Sequence, residues 1–552
     1  MKRWLHGGFI LVAVSCFPLQ RARSETVADA IPGSAKAAVI VTNAQELEKN
    51  VRAFAQAAGF SLPESIGLDK ALQASGLAGV WQPERGAAFV VTAAEMEGLA
   101  VVLAVADAKA ALAKMNATAD GDLFKLTFMG SPAVALPKGR WLVLSPSAKG
   151  LEPFRRIDQT LSGQWKKLEK ELSVDADLFV YVNIAELKQI ALTGLDAFEQ
   201  QFKPQLIGMA AAGGADPAQL TRMFDLYAKA LRVLANEGRA FCLGASVSGE
   251  RLQIQPGLAF RPDTSLAKYF QDEDETKTAE LIEKLPLRPF VLAMGLDTGL
   301  GGDLWQDAST AMLGMVGNLD KKERERIAEY LDQVIETLDS WSMLVDFGAD
   351  GLTMLGRYEV DDAKDFLKLL RDGQREAAGL VQALMPKGKI DVAVSTKEVD
   401  NRKVTEFRYA YSDLPAEQAK MQKVLYGGDI IKTQLVAFDD DSVGFASSGK
   451  GDPIQQLFDA GQLIKEPRIK TALSNLPEKA GAVALLDPTA VVRVAAAVVD
   501  KVGQPLPIRL PTYDKPPVPI AVAVMGQQNG VTARLVIRAD TVREVAKPFL
   551  GR

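Results

Sequence analysis

Four stretches of the chain share one order of apolar and polar positions. Each is an apolar run that ends at Asn or Asp, where a helical period takes over. They are Ala38–Asn43, Leu178–Asn183, Phe290–Asp297 and Ala482–Asp487. An Asn or Asp oxygen can accept an otherwise orphaned N–H of the first helical turn. Pro488 follows Asp487 at the first helical position, where proline is favoured. Each stretch is followed by a predicted hairpin. The turns are Gly249-Glu250, Asp350-Gly351 and Asn529-Gly530, with a longer one at Ala93–Gly98. Asp-Gly and Asn-Gly suit two-residue turns because both positions tolerate positive φ. The returning strands, Val101–Ala106, Gly257–Arg261, Leu355–Val360 and Leu535–Arg538, end near Asp107, Asp263, Asp362 and Asp540. Each of these aspartates is expected to cap another helix.

The repeated unit is therefore β-α-β-β-α. Two connecting blocks also resemble each other: one holds the run Trp141–Ser145, the other Val443–Ser447. The predicted class is α+β, a duplicated protein of two halves and four units, with antiparallel or mixed sheets and helices on one face. The first half is placed at 25–284, with units at about 32–115 and 174–272 around a block at 116–173. The second is placed at 285–552, with units at about 286–385 and 475–552 around a block at 386–474. The join falls near Leu285-Pro286.

The middle units carry helical inserts. Residues 185–237 read as a helical hairpin broken at Gly213-Gly214, with Leu220, Met223, Phe224, Tyr227, Leu231 and Leu234 on one face. Residues 305–338 place Ile327, Leu331, Val334, Ile335 and Leu338 on one face. Such a stripe either covers a core or is left open as an apolar groove. Six prolines between Gln504 and Ile520 read as an extended surface loop. The acidic run Asp272–Glu275 reads as solvated linker.

Residues 1–24 read as a secretory signal: Lys2 and Arg3, then the apolar run Gly8–Phe17, then Ala22-Arg23-Ser24 before a cleavage point. Ala13-Val14-Ser15-Cys16 also resembles a lipoprotein box, in which Cys16 would carry lipid and anchor the chain to a membrane. No later segment offers the ~18 uninterrupted apolar residues of a spanning helix. Loss of residues 1–24 leaves 60 basic against 69 acidic side chains, a net charge of −9. That balance, without a basic stripe, argues against nucleic acid as partner. It also removes His6, the one histidine, and leaves Cys242 as the one thiol unless Cys16 is retained. A single thiol forms no internal disulfide.

Composition then narrows the chemistry. Without histidine, the usual serine and cysteine nucleophile systems lack their base. No glycine-rich phosphate loop is present. Asp297-Thr298-Gly299 matches half of an aspartic-protease pair and has no second copy. Ser265 with Lys268, and Ser447 with Lys450, match a serine–lysine spacing without its companion motifs. Asp439, Asp440 and Asp441 are weak calcium candidates, since the trio also suits a turn and lacks calcium-loop spacing. Cys242, within an apolar strand, reads as a buried thiol. No catalytic residue and no cofactor is assigned.

The order of elements resembles that of exported bacterial proteins known only by a domain of unknown function. The likeness lies in Ile31-Pro32 leading to the strand ending at Asn43, the helix, hairpin and helix up to Met115, and the Trp-containing strand Gly139–Ser145. It implies no catalytic residues. The expected function is binding or scaffolding in the cell envelope, with an envelope protein as partner. The alternative is carriage of an apolar ligand or lipid under the helical inserts. A hydrolase of unrecognised type ranks third. The oligomeric state is not legible in the sequence.

Overall fold

The structure, a computed structural model, describes residues 26–550 apart from 65–66, 76, 94–95, 165–167, 169–175, 213–216, 271–275, 301–304, 307–308, 311–312, 314–318, 349–350, 385–387, 459–460, 503–512 and 514. The expected signal segment with Cys16, the Gly213-Gly214 break, the acidic run and most of the proline-rich loop lie outside the described residues. The chain divides into two compact units, one of residues up to 45 with 68–167, the other of 46–67 with 168–552.

The first unit holds β1 (Ala37–Val41), β2 (Ala87–Val91), β3 (Leu99–Ala104), β4 (Thr118–Asp120), β5 (Leu123–Phe128), β6 (Ser131–Lys138) and β7 (Trp141–Ser145). They pair antiparallel in the order β1-β2-β3-β7-β6-β5-β4. Every residue of β7 is buried, as befits a strand flanked on both sides and covered on both faces. Its Leu142 and Leu144 join Leu103, Leu112 and Ala135 in this unit's core.

The second unit holds β8 (Leu178–Asn183), β9 (Gly238–Val247), β10 (Arg251–Phe260), β11 (Leu292–Asp297), β12 (Leu338–Gly348), β13 (Gly351–Val360) and β14 (Lys389–Val399). It continues with β15 (Arg402–Ser412), β16 (Ile430–Ala437), β17 (Ser442–Ser448), β18 (Ala482–Leu486), β19 (Ile520–Gln527) and β20 (Gly530–Arg538). These strands pair antiparallel in the order β8-β9-β10-β20-β19-β18-β11-β12-β13-β17-β16-β15-β14. Strands from both sides of Leu285 thus share one ladder, β10 meeting β20 from Arg251↔Arg538 to Ala259↔Gly530. β17, like β7, is buried at every position. Phe290, Leu344, Val483, Leu485, Ala523 and Val536 meet in one core cluster.

The protein is therefore a mixed α and β fold on antiparallel sheet, as the alternating patterns predicted. β8 matches its predicted run residue for residue, with Phe179, Tyr181 and Asn183 turned inward. The Asn529 turn has its expected left-handed φ of 62°. Several aspartates do cap. Asp107 accepts from the N–H groups of Lys109 and Ala110, and Asp362 from those of Lys364 and Asp365, at 2.8–3.1 Å.

Other aspartates differ from expectation. Thr264, not Asp263, caps the helix Ser265–Tyr269, because Asp263 sits in the left-handed region at φ 63°. Asp297 ends β11 and accepts from the Gly299 N–H at 3.0 Å and from the Thr276 hydroxyl. Asp540 lies inside the helix Ala539–Leu550 and pairs with Arg538 at 3.0 Å. Leu338, expected on a helical stripe, is the first residue of β12.

Candidate functional site

β8 ends at Asn183, whose side-chain oxygen accepts the Glu186 N–H at 3.2 Å and starts α1 (Ile184–Ala197). The helix passes through one π turn, Phe198–Phe202, into α2 (Lys203–Ala212). α3 (Pro217–Glu237) returns alongside and runs straight into β9 at Gly238. The glycine is needed there. A Cβ would stand 2.4 Å from the Leu234 carbonyl oxygen and 3.0 Å from the Ile184 side chain. The two ends of the hairpin can therefore close on each other only around a bare backbone.

Between α1 and α3 lies a cavity of about 620 Å³. Its size falls in the ~300–1,000 Å³ range of small-molecule sites. Small residues make the room. Ala228 and Ala235 are buried on α3, and Ala191 and Gly194 face the space from α1. Leu187, Leu195, Phe198 and Phe224 stand around it, the two phenylalanines edge to face at 5.8 Å. Tyr227 and Leu231 form an open rim, 60% and 53% exposed. Of the thirteen lining residues, only Tyr227 brings a polar side-chain atom.

Ion pairs strap the helices together. Arg232 of α3 reaches Asp196 and Glu199 at 2.6 Å each, and Lys203 pairs with Asp225. The hydrogen bonds to Asp196 and then Glu199 push the Arg232 guanidinium above its ordinary value. These pairs fix the helix spacing and leave the groove uncharged. The lining is apolar and uncharged, with the Tyr227 hydroxyl at its rim.

Two polar sites lie elsewhere in the second unit. Glu406 on β15 is 1% exposed yet ionised. Burial alone would raise its pKa. Hydrogen bonds from Lys397, Gln434 and Arg408 at 2.9, 2.7 and 2.6 Å outweigh burial and hold it at about 2. Gln434 also donates to Asp452 at 2.9 Å, and its own oxygen accepts the Ile454 N–H at 3.0 Å. A carboxylate saturated in this way is a structural knot, not a proton donor or acceptor at neutral pH.

The second site is a polar cavity of about 320 Å³ at the start of the helix Pro488–Val502. Asp487 there caps the helix through the Thr489 and Ala490 N–H groups at 3.0 and 3.1 Å. It also accepts from Arg468 at 2.9 Å. Arg468 in turn binds Glu466 at 2.6 Å and lies over the Phe290 ring.

The candidates read from sequence do not converge. Asp439, Asp440 and Asp441 form the turn between β16 and β17, and the Asp440 and Asp441 carbonyls accept the Ala363 and Val360 N–H groups. The Asp440 side chain projects fully into solvent. Burial, then a hydrogen bond with Asp441, raises the Asp439 carboxyl. Among the described residues, no group of three His, Cys, Asp or Glu side chains is placed to hold a metal ion. The Ser265 hydroxyl donates to Glu237 at 2.8 Å, and the Ser447 hydroxyl meets that of Thr433 at 3.1 Å. Cys242 is buried. Burial pushes its thiol up to about 12, although Arg239 pulls it the other way.

Sequence reasoning named the α3 stripe but not the α1 residues facing it, nor the Glu406 network. Glu406, Arg408 and Lys397 stood in alternating strands whose register was not legible. No family model matches the chain, and no curated protein matches it. Among solved structures, crystal form III of TP0453 aligns over 50% of this chain and 100% of its own, at 5% identity and TM-score 0.23. Crystal form IV aligns over 48% and 96%, at 8% identity and TM-score 0.24. Likeness at that level carries no argument about function.

Proposed function

We propose that the protein is an exported, non-catalytic binding protein of the cell envelope whose α1–α3 hairpin holds an apolar ligand, a long acyl chain or its equivalent. The observation that carries this reading is the open groove of about 620 Å³ with its almost wholly apolar lining. The fourteen residues of α1 give it a length of roughly 21 Å, enough for an extended long-chain acyl group. Scaffolding alone gives no reason for small residues at four facing positions.

The reading includes the duplication. Its support is the matching order of strands, β3-β7-β6-β5-β4 within the first unit and β13-β17-β16-β15-β14 within the second. The three-stranded sets β1-β2-β3, β8-β9-β10, β11-β12-β13 and β18-β19-β20 recur in the same way.

Titration with a fluorescent long-chain fatty acid tests the groove. Ala228→Trp should fill its floor, weaken the probe by about tenfold or more and leave the circular dichroism unchanged. A wild-type protein that ignores the probe, or a variant that binds it equally well, would sink the reading.

A further inference from the structure

The helix α2 stands out from every other element of the hairpin. From Pro204 to Ala212 it carries no charged side chain, and none of its residues is buried. Phe202, Leu206 and Met209 fall at helical spacing and are 55%, 38% and 66% exposed. Gln205 is its one polar side chain beyond Lys203, and a helix with so little polar surface is ordinarily buried in protein or in lipid. We propose that this face of α2 docks into the surface layer of a phospholipid bilayer, and that the groove takes its acyl ligand from there. The second half of this proposal rests on the acyl-binding reading.

Three observations select a bilayer as the occupant. The first is area. Phe202, Leu206 and Met209 at their exposures offer roughly 300 Å² of accessible surface, well below the ~800 Å² per partner of a stable protein interface. A second copy of the chain would gain too little from it. A bilayer surface sets no such threshold, because binding grows with whatever apolar area enters it and each side chain adds its share. The second is continuity. Phe202 closes the π turn that Phe198 opens, and Phe198 lines the groove. Patch and groove therefore share one helix. The third is length. At about 15 Å for its ten residues the helix is half the hydrocarbon thickness, so it can lie in the interface but cannot cross. Lys203 is already paired with Asp225, so docking should not depend on anionic lipid.

Flotation of the full chain with phosphatidylcholine vesicles, with and without added phosphatidylglycerol, tests this. The wild type should float equally with both and keep floating at high salt. The double variant Phe202→Ser/Met209→Ser should lose about fivefold or more of the floated fraction, with its circular dichroism intact. Ala228→Trp should still float while losing the fatty-acid probe. Probe binding without flotation would overturn docking and leave the groove standing. Flotation without probe binding would do the reverse. Flotation only with phosphatidylglycerol, reversed by salt, would also overturn the proposal. So would a concentration-dependent dimer that the double variant breaks.

Discussion

Glu406→Gln is the most telling perturbation of the second unit, because one buried carboxylate gathers three donors. The wild-type carboxylate is held at about 2 against an ordinary value of 4.5. At ~1.36 kcal/mol per unit, that difference is worth about 3 kcal/mol at neutral pH. The shift is downward, so the contribution is complete above the ordinary value and fades as pH falls from 4.5 towards 2. The substituted amide would imitate the protonated state. It keeps the shape and one partner but leaves Lys397 and Arg408 facing a neutral group. Urea unfolding followed by circular dichroism at pH 7, 5.5, 4.5 and 3.5 measures the difference between the two proteins. It should be about 3 kcal/mol at pH 7 and shrink to about 2 at pH 3.5. A difference that is small at pH 7, or that stays constant down to pH 3.5, would show that the donors do not hold the ionised form.

Asp487→Ala removes a helix cap and strands the mostly buried guanidinium of Arg468 with Glu466 as its remaining carboxylate. It should cost about 2–4 kcal/mol and lower the melting temperature by several degrees, with Asp487→Asn clearly milder. An alanine variant as stable as wild type would refute the coupling of cap and ion pair. Cys242, buried and pushed up to about 12, should ignore Ellman's reagent at pH 8 in the folded protein and react at once in guanidinium. Rapid reaction without denaturant would contradict its burial.

Local signals carried much of the fold. β8 and the Asp107, Asp362 and Asp487 caps needed only the residues beside them, since a cap and an alternating strand are local events. Asp263 and Asp540 carry the same local signal and do something else. Which residue caps depends on where the backbone turns, and the Asp263 backbone turns left-handed one step early. Strand order was beyond reach for a different reason. The pairing of β10 with β20 joins residues about as far apart as Leu252 and Ile537, and no local pattern encodes that. The Glu406 network depends on three strands coming into register, which no single strand's pattern encodes.

The two helical inserts make the same point about the site. Both carry an apolar stripe at helical spacing, and in sequence they look equivalent. In the helix Lys321–Glu336 the stripe is covered at Ile327 and partly covered at Leu331, Val334 and Ile335. Ile327 is 3% exposed and packs with Leu313, Leu319 and Leu380, large residues that meet it from other segments. In α3 the stripe faces α1, which leaves a gap at Ala191 and Gly194 between Leu187, Leu195 and Phe198. An apolar face closes when the opposite surface supplies volume and stays open when it supplies alanine and glycine. What separates core from groove is therefore the residue sizes on the partner, read in the right register. Periodicity found the stripe, and only the pairing of α1 with α3 made it a site.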